Sequence, residues 1–160
     1  MQIRPYQSSD DDALWSALAP AIQSGETLAL PTDMSRDAAL RYWSGTDRQC
    51  FVAEREGEVL GSFYIRPNQL GGGGHVANGG YVTRPEARGQ GVARAMCLHS
   101  LSLAAEQGFR AMQFNFVVSS NLAALTLWQR CGFAIVGRLP EAFNHPRLGF
   151  VDALVMARRL

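Results

Sequence analysis

The sequence predicts one α/β domain spanning residues 1–160, with a mixed central β-sheet that contains a splayed pair of parallel strands and carries helices on both faces. Three observations predict it. A chain of 160 residues that is 47% hydrophobic can bury one substantial core and implies no second domain. After a hairpin pattern in the first half, the second half alternates strand, helix, strand, helix, strand, which calls for parallel pairing through crossover helices. Finally, Gly79-Gly80 interrupts the first strand of that alternating half, and a glycine pair inside a strand marks a bulge or a close approach by a ligand.

Each element has its own signal. Gln2 to Gln7 reads as a short strand, followed by Ser8-Ser9-Asp10, whose side chains suit a helix N-terminus. A helix from Asp11 to Gln23 follows, because Leu14, Leu18 and Ile22 recur at i, i+4 and i+8. Thr27 to Leu30 has extended character, and Ser35 to Trp43 suits a second helix ended by Gly45. Cys50 to Glu54 and Val59 to Ile65 flank Glu56-Gly57-Glu58, the chemistry of a hairpin turn. Gly71 to Gly74 form a loop that is either mobile or closely packed. Beyond it come a strand from His75 to Thr83, a helix from Gly91 to Gln107, a strand from Met112 to Val118 and a helix from Asn121 to Cys131. Gly108 and Gly132 stand where helices need a left-handed closing residue. Short strands at Ala134 to Val136 and Val151 to Met156 complete the sheet, with Phe143 to Gly149 irregular and available to border a substrate entrance or a dimer contact.

Composition excludes several chemistries. All fifteen basic residues are Arg. Without Lys there is no Schiff base, no pyridoxal-phosphate anchor and no lysine-dependent phosphate loop. A net charge of +1 with interspersed signs lacks the footprint of a nucleic-acid or polybasic membrane binder, and no apolar run approaches a membrane span. Cys50, Cys97 and Cys131 are scattered, as are His75, His99 and His145, so no metal site is expected. The cysteines read as reduced thiols of a cytoplasmic protein, and the opening residues carry no secretory signal.

The sharpest local motif is Arg88-Gly89-Gln90-Gly91-Val92-Ala93, between a strand and a helix. Glycines there let main chain approach a ligand, and the free N–H groups of the helix start suit a pyrophosphate; an ordinary tight turn is the alternative. A dinucleotide fold would need a third glycine where Arg94 stands and an acid about twenty residues on, around 111 to 118, where none occurs. A phosphate-bearing cofactor held by main chain remains.

Tyr81-Val82-Thr83, the turn Arg88-x-x-Gly91-x-Ala93 and Asn121-x-x-Ala124-x-x-Leu127-Trp128-x-x-x-Gly132-Phe133 together resemble the GNAT superfamily of N-acetyltransferases. The resemblance implies that residues 88–93 hold the diphosphate of acetyl-CoA, that Tyr81, Val82 and Thr83 pair with its pantetheine arm, and that the helix from Asn121 flanks the thiol. A closer likeness is to the acetyltransferases that act on the proline analogue azetidine-2-carboxylate and to their bacterial relatives. It is carried by Pro67-Asn68-Gln69, His75-Val76-Ala77-Asn78, Phe114-Asn115-Phe116, Asn121 and Trp128, the last in place of the superfamily's usual Tyr.

By that likeness the protein moves the acetyl group of acetyl-CoA to the amine of a small amino or imino acid, with Asn115 and Asn78 as the catalytic pair and no metal. Period-two alternation puts Asn78 on one strand face with Val76, Gly80 and Val82, and Asn115 with Gln113 and Val117 on the neighbouring strand. The two amides can orient substrate, and an N–H of Tyr81 or Val82 can stabilise the oxyanion. No general base is evident. Trp128 cannot donate a proton as Tyr would, but a thiol with pKa near ~8.5 leaves without assistance; core packing is the favoured reading of Trp128. N-capping is an adequate account of Asn121 beside any cofactor contact. A GNAT enzyme for another amine, such as a polyamine, an aminoglycoside or a protein N-terminus, and a CoA-binding module without turnover remain alternatives. The partner is a small-molecule amine, not nucleic acid or membrane, and a homodimer is left open.

Overall fold

The computed structural model describes all residues 1–160. Seven strands form one sheet: β1 (Gln2–Pro5), β2 (Gln49–Arg55), β3 (Glu58–Pro67), β4 (Val76–Thr83), β5 (Ala111–Val118), β6 (Ala134–His145) and β7 (Gly149–Arg159). Four helices cover it: α1 (Asp11–Ser24), α2 (Arg36–Trp43), α3 (Val92–Glu106) and α4 (Leu122–Arg130). The strand order is β1-β2-β3-β4-β5-β7-β6, and β4–β5 is the parallel pair among antiparallel neighbours.

Helices pack on both faces, as the alternating pattern requires. The α1 stripe of Leu14, Leu18 and Ile22 is fully buried and meets Trp43 of α2 with Tyr64 and Val82 of the sheet. Opposite, Met96 and Cys97 of α3 and Trp128 of α4 meet Phe63, Ile65, Met112 and Phe114. Two polar groups buried in these layers find partners within the protein. Trp43 Nε1 donates to Ser62 Oγ at 3.0 Å, and the Ser62 hydroxyl in turn donates to the Phe51 carbonyl at 2.7 Å. Asp10 accepts from both terminal nitrogens of Arg4, at 2.8 and 2.9 Å, and from the Gln7 N–H at 2.8 Å. The Arg4 guanidinium thereby holds the Asp10 carboxyl below the usual carboxylate range.

Several expectations are corrected. Thr27 to Leu30 forms no strand; the segment is a loop whose residues line the central cavity. The short strand at Ala134 is in fact twelve residues long and runs to His145, so Phe143 to Gly149 is not irregular but the tip of the β6–β7 hairpin, with Phe143 opposite Val151 and His145 opposite Gly149. Two register shifts hide this strand from a period-two reading, between Ile135 and Gly137 and between Leu139 and Phe143. Asp152 closes the second by accepting from the Glu141 N–H at 2.9 Å and from Arg138 at 2.6 Å.

Gly79-Gly80 is also not a bulge. β4 stays in unbroken register with β3 through Gly79↔Ile65 and Gly80↔Tyr64. The close approach is made by the protein's own Tyr64, since a Cβ on Gly80 would stand 2.6 Å from its ring. The bulge lies across the gap, on β5. Phe114 pairs with Met156 and Val117 with Leu154, so Asn115 and Phe116 together oppose Val155. The extra residue puts Val117 on the Phe114 side, inside the helix-covered core, and not on the Asn115 side that simple alternation predicts.

Candidate active site

The parallel pair is a fork. β4 and β5 pair only at Val76↔Ala111 and Ala77↔Met112, then diverge. Just past the last pair, Asn78 Nδ2 donates to the Gln113 carbonyl at 2.9 Å and ties the base of the fork. Beyond it opens a cavity of about 330 Å³, at the lower end of the range for ligand pockets. Gly79, Gly80 and Tyr81 line one side, Phe114 to Val118 the other, and Asn121, Ala124 and Trp128 of α4 a third. Loop residues 27–30 and Tyr42, Trp43, Tyr64 and Arg66 complete it.

The phase of the β3–β4 ladder fixes which main-chain groups face the fork. Arg84 N–H donates to the Leu60 carbonyl at 2.9 Å, and Asn68 N–H to that of Val76 at 2.7 Å. In this register the even-numbered residues of β4 bond to β3, so Gly79, Tyr81 and Thr83 turn their N–H and C=O toward the gap that β5 has left. Of the two donors offered for an oxyanion, the Tyr81 N–H therefore faces the fork and the Val82 N–H faces β3. Val82 itself is buried against α1 and α2.

Asn78 and Asn115 both line the cavity, Asn78 buried and Asn115 exposed. Asn115 Nδ2 donates to Asn68 Oδ1 at 2.6 Å, and its Oδ1 accepts from Gln113 Nε2 at 2.9 Å. Asn68 and Gln113 are half-buried and lie 45 residues apart in sequence, so nothing in one sequence marks them as partners of Asn115. Asn121 caps α4, its Oδ1 accepting from the Ala124 N–H at 3.3 Å, while still lining the cavity. Trp128 is core, with ring centroids 4.9 Å from both Tyr81 and Phe114.

The available acids and bases are few. No Asp, Glu or His lines the cavity. The Tyr81 hydroxyl lies 2.7 Å from Ser100 Oγ, and burial pushes its pKa far above the ordinary phenol value. Burial likewise raises the Tyr64 phenol, with Tyr42 adding to the effect. Tyr81 thus serves the fork through its main chain and the core through its side chain.

β4 leads out of the cavity to the glycine turn. Gly89 and Gly91 adopt φ of 75° and 79°, a left-handed conformation that favours glycine. Gly91 caps α3 without a side chain, and the first turn holds no Asp or Glu. Helical bonding starts with Ala95 N–H to the Gly91 carbonyl at 3.0 Å, so the N–H groups of Val92, Ala93 and Arg94 precede the helical ladder. A Cβ at Gly89 or Gly91 would meet nothing within 4 Å, so no protein group covers the turn. Gln90 is held back by the Glu86 carbonyl at 2.9 Å and by Arg55 at 3.0 Å, while Arg88 is exposed. Uncovered N–H donors with a positive helix end fit a diphosphate. No three His, Cys, Asp or Glu side chains gather as a metal site, and no helix is long and apolar enough to cross a membrane.

Comparison with known proteins places this architecture. The sequence profile described as the acetyltransferase (GNAT) family matches residues 15–133. A GCN5-related N-acetyltransferase from Kribbella flavida superposes with a TM-score of 0.93 at 39% identity, over 99% of this chain and 97% of that one. The N-acetyltransferase aca1 of Schizosaccharomyces pombe is 35% identical over 98 residues, 61% of this chain and 47% of that protein, so the chain spans less than half of this curated relative. A phosphinothricin acetyltransferase from Sinorhizobium meliloti, solved with acetyl-CoA, shares the fold with a TM-score of 0.86 at 22% identity, over 99% and 88% of the two chains.

Proposed function

The chain belongs to the acetyltransferase (GNAT) family, and from that premise we propose that it transfers the acetyl group of acetyl-CoA to the amine of a small amino or imino acid, a proline analogue being the preferred substrate. The observation that carries the reading is the fork. It leaves the main chain of Gly79, Tyr81 and Thr83 unpaired by β5, beside a cavity that ends at Asn78 and Asn115.

Acetyl-CoA fits as the second substrate, by the following division of labour. The N–H groups of residues 89–93 hold the diphosphate, with Arg88 adding charge, and the open edge of β4 at Tyr81 to Thr83 pairs with the amides of the pantetheine arm. Asn121 and α4 flank the thioester. The amine enters from the cavity side, and Asn115, itself exposed, orients it toward the acetyl carbon. Asn78 supports that wall through its bond to β5. As the amine nitrogen bonds to the carbonyl carbon, charge on the oxygen is met by the Tyr81 N–H. The carbonyl then re-forms, the carbon–sulphur bond breaks and CoA departs as thiolate. The amine proton goes to water, since no side chain in the cavity is a base at neutral pH.

A thiol-release assay with acetyl-CoA tests this, using a panel of azetidine-2-carboxylate, hydroxyproline, a polyamine, an aminoglycoside and a peptide N-terminus. Release with the imino acids is expected. Tight CoA binding with no release from any amine would leave a CoA-binding module, and preference for the peptide would point to a protein substrate.

A further inference from the structure

Arg66 lines one wall of the cavity and belongs to a cluster with Asp47 and Arg48, whose side chains lie outside the cavity lining, and acetyl transfer as described uses none of the three. Arg66 of β3 stands directly opposite Asn78 of β4, so the two side chains sit next to each other on one face of the sheet, and both line the cavity. Arg48, just before β2, lies against the two tyrosines of the same wall, its guanidinium carbon 5.0 Å from the Tyr42 ring centre and 4.6 Å from that of Tyr64. Asp47 joins the two arginines. Its Oδ1 accepts from Arg48 Nε at 2.8 Å, and its Oδ2 accepts from Arg48 Nη2 at 3.0 Å and from Arg66 Nη1 at 3.2 Å.

Two guanidinium groups therefore share one carboxylate, which leaves a net positive charge at the wall. The cluster also has unused donors. The Arg48 side chain is 7% exposed, yet its Nη1 is buried with no partner, and Arg66 Nε is buried and unpartnered too. These two orphaned N–H groups are enclosed and out of a ligand's reach; what stays open to an acceptor is the part of the Arg66 side chain, one-third exposed, that lines the cavity. No carboxylate lines the cavity to supply one.

We propose that Arg66, positioned by Asp47 and Arg48, binds a carboxylate carried by the amine substrate and so makes an α-carboxylate the specificity-determining feature of this site. The inference rests on the acetyl-transfer reading of the same cavity. A guanidinium matches a carboxylate in shape and charge and keeps its proton at any working pH. Arg66 at the base of the fork holds that carboxylate beside Asn78, which leaves the adjacent amine to reach toward Asn115. A polyamine or an aminoglycoside would bring further cations to a wall that already has a surplus of one and no acid to receive them, and like charges at such range repel.

The test compares azetidine-2-carboxylate with its carboxamide, and proline with its methyl ester, in the thiol-release assay, using the wild-type protein, Arg66→Gln and Arg66→Lys. The acid is expected to exceed its neutral analogue by at least about tenfold in kcat/KM, the scale of one charge-assisted hydrogen bond. Arg66→Gln should raise KM for the acid about 10–100-fold, leave kcat within about threefold and erase the difference between acid and neutral analogue, with Arg66→Lys retaining part of it. Equal use of acid and neutral analogue by the wild-type protein overturns the inference while the acetyl-transfer reading stands, and needs no variant to fold. So does an Arg66→Gln protein that keeps the preference. Release from no amine overturns both.

Discussion

The side-chain amide of Asn78 donates to the main-chain carbonyl of Gln113 at 2.9 Å, one residue past the last paired position of β4 and β5. A side chain thus takes the place of the next main-chain rung at the point where the sheet opens. Asn115, the other amide of the cavity, is exposed and tied only to the side chains of Gln113 and Asn68.

The two asparagines should consequently fail differently. Asn78→Ala removes a buried donor and leaves the Gln113 carbonyl without its partner, which should cost about 1–3 kcal/mol, a fall in Tm of about 2–4 °C per kcal/mol, together with turnover. Asn115→Ala should leave Tm nearly unchanged, within about 0.5 kcal/mol, and lower turnover while CoA affinity is retained. Thermal denaturation beside thiol release and CoA titration checks the pair; intact turnover in Asn115→Ala would remove that residue from the mechanism.

Gly91→Ala should weaken CoA binding out of proportion to its effect on folding. A Cβ there meets no protein atom, so the folding cost is the left-handed backbone alone, about 1–2 kcal/mol. A methyl group on the open face of the turn would also keep a diphosphate from the main-chain donors. CoA titration of this variant against Gly108→Ala, which has similar backbone strain and equally open space but lies past the opposite end of α3, separates the two effects.

Gly80→Ala should disturb the amine side of the cavity. The new Cβ would fall 2.6 Å from Tyr64, whose ring is wedged against Trp43 at 5.0 Å between centroids and cannot easily withdraw. Overpacking of this kind costs about 1–3 kcal/mol. The expected result is a lower Tm with a raised KM for the amine; an unchanged KM would show that the Tyr64 wall is not part of the amine site.

Stability should fall in acid through Asp10. Because Arg4 and the Gln7 N–H lower the folded-state pKa of Asp10, its contribution is fully present above the unfolded value of about 3.9 and is lost as pH drops through the folded one. Denaturant unfolding from pH 6 to pH 2 should show Asp10→Asn with a shallower acid loss than the wild-type protein. Parallel curves would mean that other carboxyls dominate.

Much of the frame was legible because local pattern and tertiary demand agree. The stripe Leu14, Leu18, Ile22 is fully buried, Ser35 and Asn121 cap the helices they precede, and the β2–β3 hairpin turns at Glu56-Gly57. What failed were features set by contacts distant in sequence. Nothing in Phe114-Asn115-Phe116-Val117 announces a bulge, because the extra residue exists only relative to β7. Gly79-Gly80 reads in sequence as a bulge or a ligand's approach, whereas the crowding comes from Tyr64 of the paired strand, which one sequence does not place there. β6 was cut short by Pro140 and by two register shifts that erase alternation. The cluster of Asp47, Arg48 and Arg66 left no trace, since it depends on β2 and β3 pairing to bring the wall together.

The two paired positions at the base of the fork also divide the sheet mechanically. Strands β1 to β4 and strands β5, β7 and β6 behave as the arms of a pair of tongs, with Val76↔Ala111 and Ala77↔Met112 as the pivot and α3 strapped across β3, β4 and β5. Whatever lies between the arms and bonds to the β4 edge acts as a spacer that completes the sheet, so loading it should stiffen the whole domain and slow hydrogen exchange along Gly79 to Thr83.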